Sequence, residues 1–329
     1  MGQVKLKGID LLPTYRCTSR CRHCTYRSSP QLTGEMESTD AKRYVEDAAQ
    51  NGIEWIWVGG GEPFLCRDLL PDVALAAKEF NIPDVYMVTN AYWAKTNEEA
   101  LGELRLLKEV GMTVLGISID AFHQENIPLE HVRNLLAAAN KVGLKRIEVS
   151  GQFLGSIDFD IGFNRTTEKN LKLLEEEGYF EGVTAKREVL RLTGRAADML
   201  STYLPAKSEE ELKDGKCDLT WLPVESHKKL NAVEIDWQGN VTTCPGICIG
   251  NARKKGLSKI LEDYDYREHP IIKTIVDEGP YGLLQQAKRN GYTTMKKMYV
   301  DACHMCYKAR KSLTRLYPGL LKPMTCYNE

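Results

Sequence analysis

The chain has no run of about 18 apolar residues, so no transmembrane helix is expected. Its first residues, Met1-Gly2-Gln3-Val4-Lys5-Leu6-Lys7, lack the apolar core of a signal peptide, which predicts a cytoplasmic protein. It also lacks an excess of either charge. Lys plus Arg number 44 and Asp plus Glu 45, for a net charge of -1. That balance argues against nucleic-acid binding through broad electrostatics, although it leaves a specific RNA or peptide substrate open. There is no internal repeat and no low-complexity segment. At 329 residues the chain suffices for one large domain and a smaller one.

Cysteine is what the chain has in quantity, ten residues of it, with none between Cys66 and Cys217. Where thiols are kept reduced, clustered cysteines point to metal before disulfides. The gap separates Cys17, Cys21, Cys24 and Cys66 from Cys217, Cys244, Cys248, Cys303, Cys306 and Cys326, which suggests two sites.

The first two hundred residues alternate short β-rich apolar runs with amphipathic helices. Strands are predicted over 9–15, 53–59, 85–89, 114–119, 146–153 and 183–192. The helices between them stop at Gly52, Gly111, Gly143 and Gly178. Thr96-Asn97-Glu98-Glu99 reads as a capping box, and the stripe Leu129, Val132, Leu135, Leu136, Ala139 and Val142 reads as core. Six such alternations require a parallel sheet, whose functional groups gather at the C-terminal ends of the strands. After about residue 195 the rhythm breaks. The charged stretch 208–216 reads as linker or solvated helix. A hairpin is predicted with strands 233–237 and 241–243 around Gln238-Gly239-Asn240, followed by helices alternating with cysteine-bearing loops. The Tyr- and Lys-bearing segment 281–299 reads as solvated helical surface.

Cys17-x3-Cys21-x2-Cys24 follows the first predicted strand. Three thiolates on a four-iron cluster leave one iron open to a ligand. Zinc, which closes a structural site with four ligands, is the alternative, with His23 as the fourth ligand. Gly60-Gly61-Glu62-Pro63 follows the second strand, Thr89-Asn90 ends the third and Ser118-Ile119-Asp120 the fourth. Ser150-Gly151-Gln152 falls within the fifth, and Gly194-Arg195-Ala196 comes after the sixth.

Taken in order, these segments over residues 9–195 resemble the radical S-adenosylmethionine (radical SAM) superfamily. His23 stands where that family often has another aromatic ring. The resemblance implies a partial (β/α)6 TIM-like barrel over residues 1–200, within an α/β chain. It implies a [4Fe–4S] cluster on Cys17, Cys21 and Cys24, with S-adenosylmethionine near Gly60, Gly61, Glu62, Pro63, Thr89, Asn90, Ser118, Asp120, Ser150 and Arg195. It further implies reductive cleavage of that cofactor to a 5′-deoxyadenosyl radical, which removes a hydrogen atom from a substrate, and an electron donor such as flavodoxin or ferredoxin.

Cys217, Cys244, Cys303 and Cys306 resemble the twitch subdomain of the same superfamily. That implies a second, auxiliary [4Fe–4S] cluster in a smaller cysteine-rich α+β domain over residues 201–329. The longer SPASM domain is matched only in part, and zinc is the alternative occupant. Cys248 is open as a replacement ligand, Cys66 reads as a small buried side chain and Cys326 as incidental. His123, with Glu125 beside it, is a candidate for orienting substrate or moving a proton. Arg191 and Arg195 are candidates for an anionic group on cofactor or substrate.

Two reactions compete within the family: modification of a peptide, and dehydrogenation of a sugar or aminocyclitol alcohol. Only 16 residues precede Cys17, so a peptide substrate would come with a separate precursor-recognition protein or a direct contact. From another class, a non-catalytic iron–sulfur or zinc-binding electron-transfer protein remains open.

Overall fold

The computed structural model describes residues 4–217, 227–293 and 298–328. By internal contacts the chain divides into two units. One comprises Lys7–Cys21 and Ser28–Leu190, the other Met1–Leu6, Arg22–Arg27 and Arg191–Glu329.

The first unit runs β1 (Gly8–Leu12), α1 (Ser38–Ala49), β2 (Trp55–Val58), α2 (Leu69–Glu79), β3 (Asp84–Thr89), α3 (Asn97–Val110), β4 (Val114–Ser118), α4 (Leu129–Val142), β5 (Arg146–Phe153), α5 (Gly162–Glu176) and β6 (Val183–Val189). Its strands pair in parallel in the order β1-β2-β3-β4-β5-β6. This is the sheet of a partial barrel, as the alternation requires. α3 and α4 stop at Gly111 and Gly143 as expected, and Thr96 Oγ1 accepts the Glu99 amide at 3.2 Å to cap α3. The end of α2 was harder to read, because its positive-φ residue is Asn81 and not a glycine. β1 stops at Leu12, short of residue 15, since Pro13 has no N–H to donate to a ladder.

Residues of β3 and β5 alternate between buried and half-buried. Val85, Met87, Ile147 and Val149 are buried, as are Val132, Leu135 and Leu136 of α4, so the predicted stripe is core. The opposite face carries polar groups on β3, β5 and β6. There Glu148 accepts from Arg146 Nε at 2.8 Å and Lys186 Nζ at 2.6 Å, and Arg146 also bonds the Tyr86 hydroxyl.

The second unit contains α6 (Gly194–Met199), β7 (Lys207–Ser208), β8 (Ala232–Asp236), β9 (Asn240–Cys244), β10 (Ile247–Asn251), α7 (Ala252–Lys255), α8 (Leu257–Glu262), α9 (Pro270–Arg289), β11 (Met298–Tyr299) and α10 (Ala302–Leu313). β8, β9 and β10 form an antiparallel meander, and β7 pairs with β11. The predicted hairpin is present. Asp236 Oδ1 closes its turn by accepting from Gln238 N at 2.9 Å and Asn240 N at 2.8 Å.

Of the two readings of residues 208–216 the linker stands and the helix does not: the stretch begins with a strand residue and a turn, in which Glu211 Oε2 accepts from both the amide and the hydroxyl of Ser208. Two expectations are corrected. Cys303 and Cys306 lie on α10 and not on a loop, because Asp301 caps that helix by accepting from His304 N at 2.7 Å. The segment 281–299 is solvated only in part, at Arg289, Asn290, Gly291, Thr293 and Met298. Gly282, Leu283, Leu284 and Ala287 of α9 are buried, as is Tyr299, while residues 294–297 lie outside the described residues.

Candidate functional site

At the C-terminal end of β2 the chain is zipped to the segment following β1. Gly61 N donates to Thr14 O at 2.8 Å and Glu62 N to Arg16 O at 2.9 Å. A Cβ on Gly61 would fall far inside contact distance of the Arg16 carbonyl, so only glycine permits this approach. Pro63 then opens a short 3-10 turn, Pro63–Leu65.

Glu62 is 1% exposed, and both of its carboxylate oxygens are engaged. Oε1 accepts from Phe64 N at 3.1 Å and Thr89 Oγ1 at 2.9 Å, and Oε2 accepts from Asn90 N at 2.8 Å. The Thr89 hydroxyl already accepts from Ala91 N and Trp93 Nε1, each at 3.0 Å, so its own proton points to Glu62. Burial pushes the Glu62 carboxyl up to about 7, against these hydrogen bonds and the nearby charge of His123. The carboxylate joins the ends of β2 and β3. Asn90 passes the connection onward, its Nδ2 donating to Cys17 Sγ at 3.6 Å and to Thr18 Oγ1 at 3.2 Å.

Cys17 and Cys21 are buried and Cys24 half-buried. The Cys17 sulfur receives N–H groups from Asn90 and from Ser19, the latter at 3.4 Å. Donors aimed at sulfur suit a thiolate ligand, and side-chain-free Gly60 and Gly61 keep backbone accessible beside it. The residues present therefore fit a cysteine-ligated cluster with a small cofactor at the strand ends.

Asp120, after β4, is fully buried. Its Oδ1 accepts from Phe122 N and His123 N at 3.0 Å each, and its Oδ2 lies 2.8 Å from His123 Nδ1. Burial opposes a charge on His123, but Asp120 and Glu62 together raise its pKa. Ser118 sits opposite Ser150 in the ladder. Ser150 Oγ and Gln152 Nε2 each donate to Glu188 Oε2 at 2.8 Å. Glu188 went unnoticed in the sequence, where the only signal was its place two residues past Lys186 on a polar strand face.

The second unit holds the segment around Cys24. Cys24 O accepts from Arg195 N at 2.9 Å and Arg27 N at 3.4 Å, and Arg195 Nη2 donates to Arg27 O at 2.8 Å. Arg27 Nη2 donates to Gly194 O at 2.9 Å and pairs with Asp198, and Tyr26 bonds Glu234. Gly194 has φ 56°, and a Cβ there would collide with the Thr25 carbonyl. The Gly-Arg-Ala segment is thus a seat for the cysteine loop, and the Arg195 guanidinium, 1% exposed, is a brace within it.

Cys217, Cys244, Cys303 and Cys306 line one cavity, together with Arg191, His227 and Arg310. Arg191 Nη1 donates to Cys303 Sγ at 3.3 Å. Burial pushes the Cys244 thiol up to about 12, countered by Arg310. Cys248 turns away, with its thiol on Gly250 O at 3.1 Å. Cys66 and Cys326 are buried and do not line that cavity. Four sulfur donors with no carboxylate among the lining residues suit an iron–sulfur cluster or zinc. Arg310 and His227 were invisible in the sequence reading, because nothing local marks an arginine one turn past Cys306 or an isolated histidine as belonging to a sulfur site.

Residues 11–176, half of the chain, match the family described as Radical SAM superfamily, and residues 228–307 match an iron-sulfur cluster-binding domain, SPASM. Among curated relatives, the Bacillus subtilis (strain 168) protein named "Putative peptide biosynthesis protein YydG" is 26% identical over 136 residues, covering 41% of this chain and 42% of that protein. GTP 3',8-cyclase of Pasteurella multocida (strain Pm70) is 27% identical over 159 residues, covering 45% of each. The chain thus spans less than half the length of these relatives. The solved structure described as native anSMEcpe with bound AdoMet and Cp18Cys peptide shares the fold at TM-score 0.52 and 11% identity, covering 94% of this chain and 96% of that one. No helix among the described residues is long and apolar enough to cross a membrane. With the ordered motifs seated at the strand ends and a second sulfur site beyond them, the chain belongs to the radical SAM superfamily, whose cofactors are a [4Fe–4S] cluster and S-adenosylmethionine, and it carries an auxiliary iron–sulfur cluster-binding domain.

Proposed function

We propose that this enzyme modifies a peptide by abstracting a hydrogen atom from it, with Cys17, Cys21 and Cys24 as ligands of the first cluster. The observation that carries the radical chemistry is the Glu62–Thr89–Asn90 connection, which ends in an amide hydrogen bond to the Cys17 sulfur. The peptide reading draws on the relative named for peptide biosynthesis. When bound, the cluster and S-adenosylmethionine supply a 5′-deoxyadenosyl radical on one-electron reduction.

The chain's own residues position and shield. Gly60, Gly61 and Pro63 shape the backbone wall, and Glu62 locks Thr89 and Asn90 into place. Ser118, Asp120 and Ser150 face the cofactor from the neighbouring strand ends. Arg195 seats the loop around Cys24. His123, oriented by its Nδ1 contact with Asp120, presents its other ring nitrogen to cofactor or substrate. The barrel domain ends near residue 200, and residues 201–329 hold the auxiliary cluster on Cys217, Cys244, Cys303 and Cys306. The working compartment is the reducing cytoplasm, with a flavodoxin or ferredoxin as electron source and a separate protein to deliver the precursor.

Anaerobic reconstitution, reduction with dithionite and assay for 5′-deoxyadenosine test the radical step. Product is expected from the intact chain and none from Cys21→Ala, and product unchanged by that substitution would remove the assigned site. Deuterium transfer into 5′-deoxyadenosine from labelled peptides, with labelled aminocyclitols as the contrasting arm, tests the substrate class. Transfer only from the aminocyclitols would overturn the peptide reading.

A further inference from the structure

Arg310 is 1% exposed, and among the described residues no carboxylate pairs with it. Its Nη1 donates to two neutral acceptors, Pro245 O at 2.7 Å and the Tyr327 hydroxyl at 3.2 Å. The hydroxyl proton of Tyr327 is itself committed to Gly246 O at 2.6 Å. Arg310 Nε is buried and has no hydrogen-bond partner. A guanidinium stays charged at any working pH, and burying one without a counter-charge is strongly unfavourable. Such a residue persists in a fold when the missing anion is supplied by something the fold is built to hold.

The nearest candidates for that anion are sulfurs. Arg310 lines the same cavity as Cys306 and Cys244, and its charge acts on both thiols. Arg191 Nη1 donates to Cys303 Sγ at 3.3 Å, and His227 Nε2 lies 3.8 Å from Cys217 Sγ. Each of the four sulfurs therefore has a nitrogen or a cation beside it. As neutral thiols they offer Arg310 no compensation. As thiolate ligands of a cluster they offer a net negative charge at contact range.

We propose that Arg310, assisted by Arg191, is the built-in counter-ion of the auxiliary cluster and holds its reduction potential less negative than the four thiolates alone would. The physical reason is the sign of the charge change. Reduction adds one negative charge to the cluster, and a fixed cation in a site shielded from water stabilises the reduced state more than the oxidised one. Arg310 is a positioning and tuning residue here, because its action passes through the cluster. The proposal rests on the assignment of Cys217, Cys244, Cys303 and Cys306 as that cluster's ligands.

The test uses the full chain carrying Cys17→Ala, Cys21→Ala and Cys24→Ala, so that only the auxiliary cluster is present, with redox titration followed by electron paramagnetic resonance. About four iron atoms per chain are expected. Arg310→Gln should shift the midpoint to more negative potential, Arg191→Gln should shift it the same way by less, and Arg310→Lys, which keeps the charge, should fall between Arg310→Gln and the unsubstituted arginine. Midpoints in both glutamine variants that match the unsubstituted protein, with iron retained, would overturn the proposal. If Arg310→Gln takes up no cluster, Arg191→Gln decides by the same criterion. Absence of iron from the parent chain with both arginines intact would instead remove the ligand assignment on which the proposal stands.

Discussion

Replacing Glu62 by glutamine exchanges one acceptor oxygen for a donor in a site where every neighbour already donates. If the amide nitrogen takes the Oε1 position it meets Phe64 N–H and the Thr89 hydroxyl, and Thr89 cannot turn to accept because Ala91 and Trp93 occupy its lone pairs. If it takes the Oε2 position it meets only the Asn90 amide, so that orientation wins. One buried N–H then loses its acceptor, at a cost of about 1–3 kcal/mol. A second effect runs with pH. Burial holds the folded-state pKa at about 7 against an ordinary value of 4.5, a difference on the order of 3 kcal/mol. Because the folded pKa is raised, the contribution is fully present below about pH 4.5 and is lost as pH rises through about 7. Glutamine has no such loss. At pH 5 Glu62 is protonated in the fold, and its own proton meets the same ring of donors as the amide does, so urea midpoints of the two proteins, measured from pH 5 to pH 8 under reducing conditions, should nearly coincide at pH 5. As pH rises Glu62 loses its contribution and glutamine does not, so Glu62→Gln should become the more stable protein by pH 8. Parallel curves would refute the raised pKa, and a much weaker variant at pH 5 would refute the shared mismatch.

Gly61→Ala forces the chain after β2 away from the Arg16 carbonyl, and a loss of about 1–3 kcal/mol in thermal unfolding, with reduced iron at the first site, is expected. Asn90→Ala removes the amide from the Cys17 sulfur but leaves the Glu62–Thr89 bond, so 5′-deoxyadenosine formation should fall while the melting temperature moves by less than in Gly61→Ala. Cys248→Ser should keep the iron content of the parent, since its thiol bonds Gly250, whereas Cys244→Ser should lose about four iron atoms on reconstitution. Asp120→Asn removes the charge that raises His123, and the imidazole titration followed by NMR should move to lower pH.

Much of the fold is written locally. The apolar runs of β1–β6 and the glycines after α3 and α4 are short-range signals, and they are enough to call for a parallel sheet. The turn chemistry of Asp236 to Asn240 marks the hairpin in the same way. The spacing of Cys17, Cys21 and Cys24 places three thiols in one loop whatever the rest of the chain does. Tertiary structure decided where side chains point once those elements had packed. That Glu62 ties β2 to β3 became visible only when β3 brought Thr89 and Asn90 against it. The choice of Cys244 over Cys248 turned on which way two neighbouring thiols face from adjacent strands, β9 and β10. Arg191, His227 and Arg310 are far apart in sequence, and only the closed cavity shows that they share the four sulfurs. Strand and helix propensities act over a few residues, whereas burial, desolvation and hydrogen-bond direction depend on neighbours that the chain supplies from a distance.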